Sequence, residues 1–217
     1  MHTRRTHPFR RTAAAVALAT ALSVTLAACG DDSDGSGAPS GTQTARNGDV
    51  FNDADVAFAS DMVQHHAQAL SMVDLTQGRP LDPQVQQLAE AIRAAQGPEI
   101  ETMADWLTDW DHEVPETMRD HANAGHDMGG DMSEQMEGMD TDMPGMMSAE
   151  EMDELQHASD DEFQDLWLEM MIEHHEGAVE MARAEQEDGE FADAVALAED
   201  IETAQLQEIE TMEELLG

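Results

Sequence analysis

The 217-residue chain has no lysine and no tyrosine, a single cysteine, three tryptophans and five phenylalanines. Its nine basic residues are therefore all arginine, against 48 acids, for a formal charge of −39. Duplex binding depends on Lys and Arg neutralising phosphates, so this balance excludes nucleic acid as a partner. One cysteine excludes a disulfide framework and any cysteine-cluster zinc or iron–sulfur site, leaving His, Met and carboxylates as metal ligands. No Ser/His/Asp or Cys/His catalytic order and no phosphate-binding glycine loop is present. What is abundant is methionine, 17 residues of it.

Residues 1–11 carry Arg4, Arg5, Arg10 and Arg11 and no acid, and residues 13–28 form a small-residue apolar run. Roughly 16 residues fall short of the about 20 that span a bilayer, so 1–28 reads as a secretory signal. The run ends in Leu26-Ala27-Ala28-Cys29, which resembles a bacterial lipobox. That predicts acylation of Cys29 and a chain anchored to the outer face of the cell membrane. Residues 29–52, rich in Gly, Ser and Asp without apolar periodicity, are expected to be a flexible tether. Removal of the leader leaves five arginines against 48 acids, 5 − 48 = −43.

The remainder, 53–217, is a duplication. Met62-Val63-Gln64-His65-His66 through Met72 recurs as Met171-Ile172-Glu173-His174-His175 through Met181, an offset of 109. The same offset aligns Leu88–Leu107 with Leu197–Leu216, with 12 of 20 positions identical. Phe58, Met62, Ala69 and Val73 share one helical face, as do Trp167, Met171, Ala178 and Ala182. Asp82-Pro83 opens a second helix, and Ser148-Ala149-Glu150-Glu151 and Ser159-Asp160-Asp161-Glu162 have capping-box form. Gly78 and Gly189 are placed to end the first and third long helices. The pattern predicts an all-α, up-and-down four-helix bundle of two hairpins, with helices near 53–77, 83–110, 159–188 and 190–216 and a short one before the third. Gly97-Pro98 suggests a kink in one repeat only. The interval 111–147 is expected to be mostly irregular and unable to bury a core.

With Met62 at zero on a helical wheel, His65 falls at about −60° and His66 at about +40°, so both flank the apolar stripe. His174 and His175 repeat this around Met171. Gln96, Glu99 and Met103 on the second helix, and Gln205, Glu208 and Met212 on the fourth, point to the same seam. Unpartnered, such groups cost on the order of 1 to 3 kcal/mol each, so they must satisfy one another or a metal. Two readings follow: a closed layer in which the four histidines bond Glu99 and Glu208, or a metal site. The metal set is Met62, His65, His66 and Met72 opposite Met171, His174, His175 and Met181, with Gln96, Glu99, Met103, Gln205, Glu208 and Met212 behind it or as alternative ligands. Thioether plus imidazole selects copper, above all Cu(I), among transition metals. His112, His121, His126, Met143, Met146 and Met147 in the interruption would be auxiliary ligands. Free histidine titrates near about 6.5, so affinity should weaken as pH falls through that value.

Met-x-x-His-His, the two Gln-x-x-Glu-Ile-x-x-Met segments (Gln96–Met103 and Gln205–Met212), Pro144-Gly145-Met146-Met147-Ser148 and Glu169 through Ala178 resemble the secreted bacterial family known as domain of unknown function three-oh-five. The resemblance covers about residues 53–217 and implies a ferritin-like four-helix bundle with extracytoplasmic copper binding and tolerance. The first block departs from it at Gln64 and Gln68, where the second has Glu173 and Gly177. The function expected is copper sequestration or trafficking, with the membrane, a copper-handling protein or a second copy as partners. The alternatives are a ferritin-like metal-dependent oxidoreductase and an interaction module whose polar seam is purely structural.

Overall fold

The structure, a computed structural model, describes residues 41–118 and 142–217. Four long helices and one short one follow a two-residue β-ribbon: β1 (Gln43–Thr44), β2 (Val50–Phe51), α1 (Asp53–Asp74), α2 (Pro83–Asp109), α3 (Ala149–His157), α4 (Asp160–Asp188) and α5 (Ala192–Leu216). α1 pairs with α2 and α4 with α5 as hairpins, and α1 and α4 form the seam between them. The all-α four-helix bundle of two hairpins is thus built as the duplication requires, but α1 and α4 lie antiparallel, so the helices run up, down, down, up instead of alternating, because the long connection after α2 returns the chain to the end of the bundle where α2 began. Among the described residues no helix is long and apolar enough to cross a membrane.

The helix starts carry the expected chemistry in most places. The Asp82 side chain accepts from Gln84 N at 2.8 Å with Pro83 at the first helical position. Ser148 and Glu151 form a reciprocal capping box on α3. Ser159 departs from expectation: its hydroxyl donates to the Glu162 carboxylate at 2.6 Å and caps no backbone N–H. α1 ends at Asp74, and Gly78 (φ +80°) serves the turn beyond it. α2 runs through Pro98 without a break, because the carbonyl robbed of its donor belongs to the exposed Ala94. Arg79 ties the two hairpins together, donating to Gln156 O and Ala158 O and stacking over Phe163 at 4.4 Å.

Two further expectations are corrected. Part of the supposed tether is folded: β1 and β2 pair in antiparallel register, Gln43 with Phe51 and Thr44 with Val50. Phe51 is buried and stacks on Trp110 at 4.6 Å, while Arg46 pairs with Asp111 and the Asp49 carboxylate accepts from Trp110 Nε1–H. The sequence pattern concealed this because a ribbon so short has no periodicity and is held by a few individual contacts rather than by a repeating stripe. The interruption also contributes to the core: Met118, Met143, Met146 and Met147 are all buried, Met118 and Met147 within the apolar cluster around Trp167.

Candidate metal centre

The core is divided in two. One half gathers Ala69, Met72, Val85, Ile92, Trp167, Met171 and Met212; the other gathers Phe58, Met62, Met103, Ala178, Ala194 and Ile201. Adding 109 to a residue number carries each of Ala69, Val85 and Ile92 into the opposite half, and likewise Phe58, Met62 and Met103. The duplication is therefore a two-fold axis through the seam. His65 and His174 are mates across that axis, and their rings touch, with centroids 3.8 Å apart and planes inclined by 39°. Since α1 and α4 run antiparallel, a residue n beyond His65 is level with the residue n before His174. Trp167 Nε1–H donating to Met72 O at 3.0 Å shows that level for n of seven.

His65, His66, His174 and His175 are completely buried. Three have one ring nitrogen held by an oxygen. His66 Nε2–H donates to Glu99 at 2.9 Å and His175 Nε2–H to Glu208 at 2.8 Å, so the dyad relates these pairs as well. His65 Nε2–H donates to Pro144 O at 3.0 Å. A carbonyl can only accept, which fixes the proton of His65 on Nε2 and leaves the lone pair on Nδ1. In all four rings Nδ1 has no hydrogen-bond partner, and in His174 neither nitrogen has one. The amides of Gln96 and Gln205, one turn before Glu99 and Glu208, are also buried and incompletely bonded.

Burial, followed by the charge of His66, pushes His65 down to about 3. Burial and then His65 hold His174 well below the ordinary histidine value. Both rings stay neutral and ligand-competent far below pH 6.5, so the expected loss of affinity near that pH is corrected to more acidic conditions for these two.

A strap crosses the seam on one side. Gly145, at φ +71°, lies so close to α4 that a Cβ would come within 2.6 Å of Glu173 O. A Cβ on Gly177 would overlap the Pro144 carbonyl. On α1, Gln68 grips the strap by both amide atoms: Nε2–H donates to Met147 O and Oε1 accepts from Met147 N–H, each at 2.8 Å. Gln68 and Gly177 are the same position of the repeat, and the sequence difference there matches the two ways the strap meets them: it is hydrogen-bonded by Gln68 and packs into the space left by Gly177.

Met62 and Met171 are fully buried, one turn from His65 and His174 on opposite sides of the dyad. Met72 is buried two turns away beside Trp167, and Met181 is only half-buried; neither shares a level with the imidazoles. Met103 and Met212 are buried, one in each core half. Glu99 and Glu208 sit at the edge as histidine partners, their side chains 20% and 18% exposed. His112 is exposed, edge-on to Phe51 at the end of the bundle and apart from the seam. His121 and His126 lie outside the described residues, as does Cys29. Among the described residues no three of His, Cys, Asp and Glu are grouped as a cation site. The roles of Pro144, Gln68 and Gly177 are not legible in the sequence: Pro144 acts through a backbone carbonyl, and Gln68 and Gly177 show there only as a departure between the repeats.

Residues 55–216 match the model of the family described as "Domain of unknown function (DUF305)". The chain belongs to the DUF305 family. A DUF305 fragment from Deinococcus radiodurans is similar at 28% identity and a TM-score of 0.62, covering 81% of this chain and 99% of that one. A DUF305 protein of Streptomyces coelicolor, described as secreted, is 31% identical with a TM-score of 0.61, covering 75% and 91%. CopM in its Cu(II)-bound form is similar at 27% identity and a TM-score of 0.57, covering 75% and 95%. No protein of curated function matches the chain.

Proposed function

We propose that this DUF305 protein is an extracytoplasmic, lipid-anchored copper-binding protein that takes Cu(I) as cargo and sequesters it or passes it on. The observation that carries the reading is the dyad itself: four buried imidazoles, each with an unpartnered Nδ1, between two buried methionines. Leaving these lone pairs bare in an apolar core is costly, and a soft cation is the partner that both imidazole and thioether accept. His65, His66, His174 and His175 with Met62 and Met171 would hold the ion. Similarity to CopM, solved with Cu(II), Cu(I) and silver, supports a copper role, and the secreted relative supports a place outside the cytoplasm. The acidic surface would raise the local concentration of cations within a Debye length. The segment 119–141, which carries His121, His126 and further methionines, would supply auxiliary Cu(I) ligands.

The carboxylates argue for storage over oxidation chemistry, since Glu99 and Glu208 are engaged by His66 and His175. Metal analysis by inductively coupled plasma mass spectrometry on protein purified from copper-grown cells tests the reading. Wild type should carry copper, and His174→Ala/His175→Ala should carry less. A wild-type protein that binds no copper after growth and after anaerobic Cu(I) loading refutes it.

A further inference from the structure

The helices of the seam obey the two-fold axis, but the surroundings of its two central imidazoles do not. His65 has Pro144 O on its Nε2–H, whereas its mate His174 has no partner on either nitrogen. The cause lies in the strap, which is held at two points of one repeat position. On α1 it is Gln68, completely buried, spending both amide atoms on the backbone of Met147. On α4 it is the missing side chain of Gly177, which lets the Pro144 carbonyl approach. The chain between Pro144 and Met147 is short, so fixing Met147 fixes the carbonyl that His65 reads.

We propose that Gln68 is a positioning residue for the metal site: by pinning the strap it holds His65 as the Nε2–H tautomer, with Nδ1 presented as the ligand atom. This rests on the reading of the seam as a soft-metal site. Three of the four imidazoles then have a fixed donor atom, His66 and His175 through Glu99 and Glu208 and His65 through the strap. His174 alone is free to adapt its tautomer to the ion. Oxygens that hold the far nitrogen of a ligating histidine set its orientation and basicity, and their loss usually lowers metal affinity 10- to 100-fold. Gln68 acts one step further out, so a loss of about tenfold is expected.

The test uses the mature protein with 15N-labelled histidine, and Ag(I) as a redox-inert probe of soft-metal binding. In wild type, long-range 15N–1H spectra should report His65 protonated on Nε2, and Ag(I) should shift the seam imidazoles. In Gln68→Leu the His65 signals should move to a tautomer mixture while His66 and His175 keep theirs, with Ag(I) affinity down about tenfold. Gly177→Ala displaces the strap from the opposite helix without touching Gln68 and should give the same signature. Circular dichroism identifies a variant that fails to fold, and the other then decides. An unchanged His65 tautomer or unchanged Ag(I) affinity in a folded variant overturns the positioning role. If Ag(I) leaves all four imidazoles of wild type unmoved, it is the reading of the seam that fails, whatever the tautomer result.

Discussion

His174→Leu should make the apoprotein more stable while impairing its function. The wild-type ring is fully buried, with neither nitrogen bonded, and it lies against His65. Each unbonded buried polar atom costs about 1 to 3 kcal/mol, and leucine occupies a similar volume without that penalty. Two unbonded nitrogens make a gross gain of about 2 to 6 kcal/mol, and imperfect repacking takes back up to about 1.5 kcal/mol, so a net gain between about 0.5 and 6 kcal/mol is expected. For a domain of this size each kcal/mol raises the Tm by about 2 to 4 °C. The pH dependence has a definite sign. Burial keeps His174 neutral in the folded state well below the pH at which the unfolded chain protonates it. Wild-type stability from this group is therefore present above about pH 6.5 and is lost as pH falls below it, at a limiting slope of about 1.4 kcal/mol per pH unit. The variant lacks this term, so its advantage should widen on acidification. Differential scanning calorimetry of both apoproteins between pH 5 and 8, repeated with Cu(I), measures these effects. Cu(I) should raise the Tm of wild type by more than that of the variant. A variant several kcal/mol less stable at every pH would show that the imidazole is satisfied in the apoprotein and would refute the reasoning.

The same logic with opposite sign applies to Glu185. Burial, followed by the hydrogen bond and charge of Asp55, pushes its carboxyl from an ordinary 4.5 up to about 9. The folded state holds a proton the unfolded state releases, so stability is greatest below about pH 4.5 and declines as pH rises towards 9. Glu185→Gln should flatten that decline, and parallel Tm profiles from pH 5 to 9 would contradict it. Deleting 119–141, which spares buried Met118, Met143, Met146 and Met147, should lower Cu(I) stoichiometry by titration while leaving helical circular dichroism intact. Cys29→Ser should release the protein from the membrane fraction; unchanged fractionation would refute the lipobox reading.

The fold was largely legible because duplication doubles every signal. A periodic stripe seen once is weak, but Phe58, Met62 and Ala69 echoed by Trp167, Met171 and Ala178 locate two hairpins and, once folded, their dyad. The imidazoles and their carboxylates follow from the same arithmetic. What the sequence concealed depends on backbone atoms or on single contacts. Pro144 enters through its carbonyl, Phe51 through one stacked ring, and Met147 through a core position inside a segment rich in Gly and Asp. Met72 and Met181 repeat as faithfully as Met62 and Met171, but repetition cannot reveal that Met181 is only half-buried while the other three are buried. The departure at Gln68 and Gly177 was visible as a broken repeat, and only the crossing strap gives it a meaning.

The central claim, a mixed imidazole–thioether site for soft metal inside the bundle, is tested most directly by X-ray absorption at the copper edge. The sample should be the 119–141 deletion variant loaded anaerobically with Cu(I), so that the segment's own methionines cannot contribute. Imidazole nitrogen together with sulfur in the first coordination shell, and no copper retained after His65→Leu/His174→Leu, is the result expected. Copper absent from the deletion variant, or bound by sulfur alone, would contradict the account.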